Sequence, residues 1–82
     1  MADVFLNSVI IVSLASGGGG IVQEVRNFKG AMAMNDCKRY EQQIHGATFS
    51  HVENGKNVSR VVSPAHNGRE KTTETITFCW EL

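Results

Sequence analysis

A surplus of either charge is missing from this sequence. Eight Lys and Arg are balanced by eight Asp and Glu, so the formal net charge is zero. Nothing draws such a chain electrostatically onto nucleic acid or an anionic membrane. The charges are also interleaved rather than run together: Arg26 and Lys29, Lys38 and Arg39, and Arg69 and Lys71 each lie near an acid. They describe a solvated mixed surface. Arg26, Lys29, Lys38 and Arg39 could gather near one helix start, but no exposed aromatics interleave with them, and no nucleic-acid partner is expected.

A long apolar run is missing as well. Residues 4–15, VFLNSVIIVSLA, come nearest, and Asn7, Ser8 and Ser13 interrupt them. The stretch is too short and too polar for a membrane span. Ser13 and Ala15 fit the small-residue pattern of a signal-cleavage site, yet the preceding residues carry Asp3 and no Lys or Arg. The expected location is therefore cytoplasmic, with no membrane partner. Cysteine is scarce: Cys37 and Cys79 form one disulfide in a secreted chain and two thiols in a cytosolic one.

The motifs of common chemistries are absent too. Gly17 to Gly20 invite a phosphate-loop reading, but Ile21 and Val22 follow where Lys and Ser or Thr are required. A dinucleotide fingerprint needs a helix after its glycines, and IVQEVRNF has strand character. His45, His51 and His66 match no usual metal-ligand spacing with each other or with the cysteines. No cofactor and no metal are expected. Neither cysteine carries the local signature of a nucleophile. Glu53 and Glu74 are ordinary strand carboxylates, and the sequon Asn57-Val58-Ser59 matters only in a secreted chain.

What is present is a small fold. Eighty-two residues make a single domain over 1–82, with a core too modest for a wide stability margin. Residues 4–14 are β-branched and apolar on both parities: Val4, Leu6, Ile10, Val12 and Leu14 on one, Phe5, Val9 and Ile11 on the other. A second strand covers Ile21 to Phe28. The four glycines between exceed a two-residue turn, which suggests a mobile tip, a close backbone approach or a hinge for strand exchange.

From Ala31 to His45 the spacing of Ala33, Cys37, Tyr40 and Ile44 predicts one helix. Lys38, Arg39, Glu41 and Gln42 fall on its wet side, Asn35 is an alternative cap, and His45-Gly46 is a stop. Asn54-Gly55 predicts a hairpin, and Pro64 to Gly68, with a second Asn-Gly, another break. The last stretch alternates, and its bulkier parity, Ile76, Phe78, Trp80 and Leu82, is the expected core face. Cys79 lies on the other parity, so Cys37 and Cys79 are expected as free thiols with the helix on the bulkier face, whereas a helix on the other face would let them meet. The order is ββαβββ: an α+β domain with one helix packed on a mainly antiparallel sheet.

One helix cannot cover both faces of the first strand. The expected function is a non-enzymatic interaction module acting as a homodimer or higher homo-oligomer through Phe5, Val9 and Ile11. Met32 and Met34 could add adaptable contacts, although ordinary core filling accounts for them better. In style the chain is like the accessory proteins of mobile elements, and a further protein partner fits that. The alternative is a small-ligand or enzymatic domain, its cleft lined by Tyr40, His51 and Trp80 at a subunit boundary.

Overall fold

The computed structural model describes residues 3–47, 50–66 and 69–82. The order is β1 (Val4–Leu14), β2 (Gly19–Phe28), α1 (Ala33–His45), β3 (Ser50–Glu53), β4 (Lys56–His66) and β5 (Arg69–Glu81). The strands form one antiparallel sheet in the order β2-β1-β5-β4-β3. This is the expected ββαβββ domain. The second Asn-Gly pair, Asn67-Gly68, lies outside the described residues.

Two of the hairpins follow from residues that tolerate positive φ. Asn54 (φ 53°) and Gly55 (φ 77°) turn β3 into β4, as two positive-φ positions in a two-residue loop require. Between β1 and β2, Gly19 holds φ 147° and packs so close to Val12 that a Cβ there would collide with the Val12 carbonyl. Of the three explanations for the extra glycines, a close backbone approach is the one seen. Gly20 has open space around it.

The helix begins at Ala33, two residues later than its spacing suggested. Met32 is the N-cap residue and no side chain caps the end, so Asn35 is not the cap. Gly46 (φ 62°) stops the helix, its N–H donating to the Gln42 carbonyl at 2.9 Å.

The helix lies over the Cys79 parity of β5, the reverse of the expected core face. Val4, Leu6, Ala33 and Cys37 form the buried centre, with Phe28, Met34, Tyr40, Ile44 and Cys79 packed around it. Phe78 and Leu82 remain exposed. The reason is on β1: Val4 and Leu6 share a face with Cys79 and Thr77, and the small Ala33 and Cys37 let the helix approach that face closely. With the helix there, Cys37 and Cys79 meet, Cα atoms 6.3 Å apart, and are bridged; free cysteines are absent. The expectation of two free thiols is thereby overturned. Bulk on one parity of β5 was a poor guide to which face the helix would choose.

Candidate functional site

Three features carry chemistry: a bare sheet face, a bare sheet edge and a buried polar chain. The bare face is built by the odd residues of β1 and the even residues of β5. Phe5 pairs with Trp80, Asn7 with Phe78, Val9 with Ile76 and Ile11 with Glu74. Ile21 and Val25 of β2 join them opposite Ile11 and Asn7. The Phe5 and Trp80 rings stack with centroids 5.4 Å apart, and Phe78 stacks on Trp80 at 6.0 Å. Toward β3 the face turns polar, with Arg60 donating to Glu74 at 2.6 Å. Among the described residues no element covers this face.

The bare edge is β2. Nine of its ten residues are exposed, including Ile21 at 70% and Val25 at 57%. Its helix-side residues form a small cluster. Tyr40 Oη donates to Glu24 Oε1 at 3.2 Å, Arg26 Nε donates to the same oxygen at 3.0 Å, and the Arg26 guanidinium sits 4.5 Å from the Tyr40 ring centre. A cation over a tyrosine face is favourable but modest when exposed.

The buried polar chain lies under the C-terminal half of α1. Ala33, Cys37, Glu41 and His45 recur every fourth residue and face the sheet, so Glu41 is buried rather than on the wet side. The sheet under that half offers hydroxyls instead of methyls. Thr77 Oγ1 donates to Glu41 Oε2 at 2.6 Å, His45 Nε2 lies 2.8 Å from Thr77 Oγ1, and His45 Nδ1 lies 2.6 Å from Ser59 Oγ. These contacts fix the proton order. Thr77 spends its proton on Glu41, so it accepts from His45 Nε2–H, and His45 Nδ1 accepts from Ser59. A neutral imidazole satisfies every contact. Burial pushes the His45 pKa below 6.5, and the nearby Glu41 charge opposes that only in part. Among the described residues no buried side-chain polar atom lacks a partner.

A polar cleft of about 290 Å³ opens beside this chain, lined by Lys38, Glu41, Gln42, His45, Ser50 and Asn57 among others. Ser59 itself is 4% exposed. A serine–histidine pair is present in distance, but the serine is sealed from any substrate in that cleft.

The residues singled out from sequence separate cleanly. Phe5, Val9 and Ile11 share the bare face. Tyr40, His51 and Trp80 do not share a cleft: Tyr40 is on the helix side against Phe28, with centroids 6.0 Å apart. Trp80 is on the opposite face. His51 is exposed on β3, 3.3 Å from Glu53 Oε2. Among the described residues no three metal-ligating side chains gather, and no helix is long and apolar enough to cross a membrane. Sequence reasoning missed Glu41 and His45. Their signal was available in the fourfold spacing from Ala33 and in the threonines of β5. The chain finds no significant match among protein-family models, curated proteins or solved structures.

Proposed function

We propose that the protein is a non-enzymatic interaction module that works as a homo-oligomer, with the bare sheet face as its contact surface. The observation that carries this reading is a largely apolar surface, Phe5, Val9, Ile11, Ile21, Val25, Ile76, Phe78 and Trp80, interrupted by the hydrogen-bonded Asn7 and Gln23, on a sheet whose helix covers the other side. From strand rise and spacing the whole sheet face measures about 35 by 20 Å, and its apolar part on β2, β1 and β5 about 20 by 15 Å. The apolar part alone is smaller than the roughly 800 Å² each partner buries in a standard interface, so the polar part toward β3 shares the contact. Stacked aromatics at one end of it suit an anchor, and the Arg60–Glu74 pair suits a rim. The absence of catalysis is supported by Ser59, His45 and Glu41, which spend their polar atoms on each other and on Thr77.

Light scattering across micromolar concentrations tests the reading. The wild type is expected to run as a dimer or larger. Phe78→Glu, at an exposed position that the fold does not bury, is expected to shift it to lower mass with an unchanged circular dichroism spectrum. A wild type that stays monomeric throughout overturns the proposal.

A further inference from the structure

The hydrogen-bond pattern of the sheet fixes which backbone groups of β2 face outward. Leu14 N–H donates to the Gly18 carbonyl, while Ala15 N–H donates to Glu70 and Leu82 N–H to Asp3. Even residues of β1 therefore bond toward β2, and odd residues toward β5. In the β1–β2 register Ile10 opposes Val22 and Ser8 opposes Glu24, so the even residues of β2 point back at β1. The N–H and C=O groups of Ile21, Gln23, Val25 and Asn27 then point away from the sheet, along an edge with no strand beyond it among the described residues. Sheet edges of this length are usually blunted by charged side chains, lysine above all, by proline or by a bulge, and the two charges of β2, Glu24 and Arg26, pair with each other. β2 contains no proline and no lysine, and its ladder to β1 runs without a register shift. The opposite edge, β3, is only four residues long.

The β2 sequence is also complementary to itself. Around Val25, the stretch VQEVRNF places Glu24 against Arg26, Gln23 against Asn27 and Val22 against Phe28 when read from its two ends. We propose that a second copy of this chain docks antiparallel on the β2 edge, about a two-fold axis through Val25. Val25 then exchanges both backbone hydrogen bonds with Val25 of the partner subunit. Glu24 faces Arg26 of the partner subunit in a non-hydrogen-bonded pair, where opposed side chains approach most closely. Gln23 meets Asn27 of the partner subunit on the bare face, amide to amide.

The register is specified by charge. The backbone permits slips of two residues only, since a one-residue slip sets inward-bonding groups against outward-bonding ones. A slip of two in one direction sets Glu24 against Glu24 of the partner subunit. In the other direction it sets Arg26 against Arg26 of the partner subunit. The axis is perpendicular to the sheet, so both helices lie on one side. The two bare faces become one surface of twice the area.

This contact rests on the homo-oligomer reading but uses the edge rather than the face, and the two separate experimentally. The Val25 N–H points outward, so Val25→Pro leaves the β1–β2 ladder intact while deleting the central bond and blocking the edge. Light scattering is expected to show a dissociation constant raised at least about a hundredfold. Glu24→Arg is expected to raise it about tenfold, and Glu24→Arg with Arg26→Glu in one chain to restore it, since the swap leaves opposite charges facing. Hydrogen exchange at high concentration is expected to protect the Gln23, Val25 and Asn27 amides. If those amides exchange freely in the oligomer, or Val25→Pro leaves its mass unchanged, the edge contact is overturned. Loss of association in Phe78→Glu alone would then leave the face contact standing. Loss in Val25→Pro but not in Phe78→Glu, together with protection of the Gln23 and Asn27 amides, establishes the edge and removes the face, since Val25 belongs to both surfaces.

Discussion

Glu41 shows how a single acid can sit inside a small core. It is 5% exposed, and an unpaired carboxylate at that depth is strongly disfavoured. Thr77 supplies the compensating donor, and His45 and Ser59 extend the chain to the next strand. Burial favours a neutral His45, which makes stability depend on pH. The unfolded imidazole titrates near 6.5, and the folded one lower. Between those values the unfolded chain binds more protons than the folded one, so stability is complete above about pH 6.5 and declines as pH falls below it. Urea titrations from pH 8 to pH 5 are expected to show this decline, and His45→Gln to flatten it from a lower starting stability. A wild-type slope equal to that of His45→Gln in this window would exclude His45 as its source. None of this was visible in the apolar pattern from which the helix was read, because that pattern counts methyl groups and ignores acids. A face of mixed polarity becomes intelligible only when the hydroxyls of the opposing strands are seen with it.

Elements and their order were legible for a different reason. Strand and helix follow from local periodicity and from turn residues such as Asn54 and Gly55, and these act within a few residues. The side of the sheet on which α1 settles is a long-range choice. It depended on Val4 and Leu6 outweighing Ile76 and Phe78, and local patterning does not express that comparison. The disulfide followed the helix. It ties α1 to β5 across a sequence separation of 42, and a loop of that length contributes about 4 kcal/mol on the chain-entropy scale. Cys37→Ser, or reduction of the wild type, is therefore expected to remove most of the stability of so small a domain. Denaturant unfolding with and without reductant measures it. A loss below about 1 kcal/mol would mean that α1 is held by packing and the Glu41–Thr77 contact instead.

The whole molecule is long and thinly covered. Its extents are 51 × 21 × 20 Å and its radius of gyration is 14.7 Å, whereas a compact chain of this length has about 12 Å. One layer of sheet with one short helix leaves few of the described residues fully enclosed, and in the proposed face-to-face assembly a second copy would supply the missing cover. Stability and association are then one equilibrium. The melting temperature of the wild type is expected to rise with protein concentration, and that of a variant held monomeric to stay constant. Calorimetry over a hundredfold concentration range distinguishes them, and a constant wild-type value would mean that the monomer is self-sufficient.

β1 pairs with β5 along its whole length, Val4 against Glu81 at one end and Leu14 against Lys71 at the other. The central ladder of the sheet therefore joins the first strand of the chain to the last. Contacts so distant in sequence close late and slowly, on the millisecond-to-second scale typical of non-local β folds. Until they close, the β1–β2 hairpin stands alone with apolar side chains on both faces and a free edge on either side. Such a hairpin is the part of the chain most prone to join another before its own final strand arrives. The last strand is thus a clasp, and the time it takes to shut decides whether the first strand finds its own chain or a stranger's.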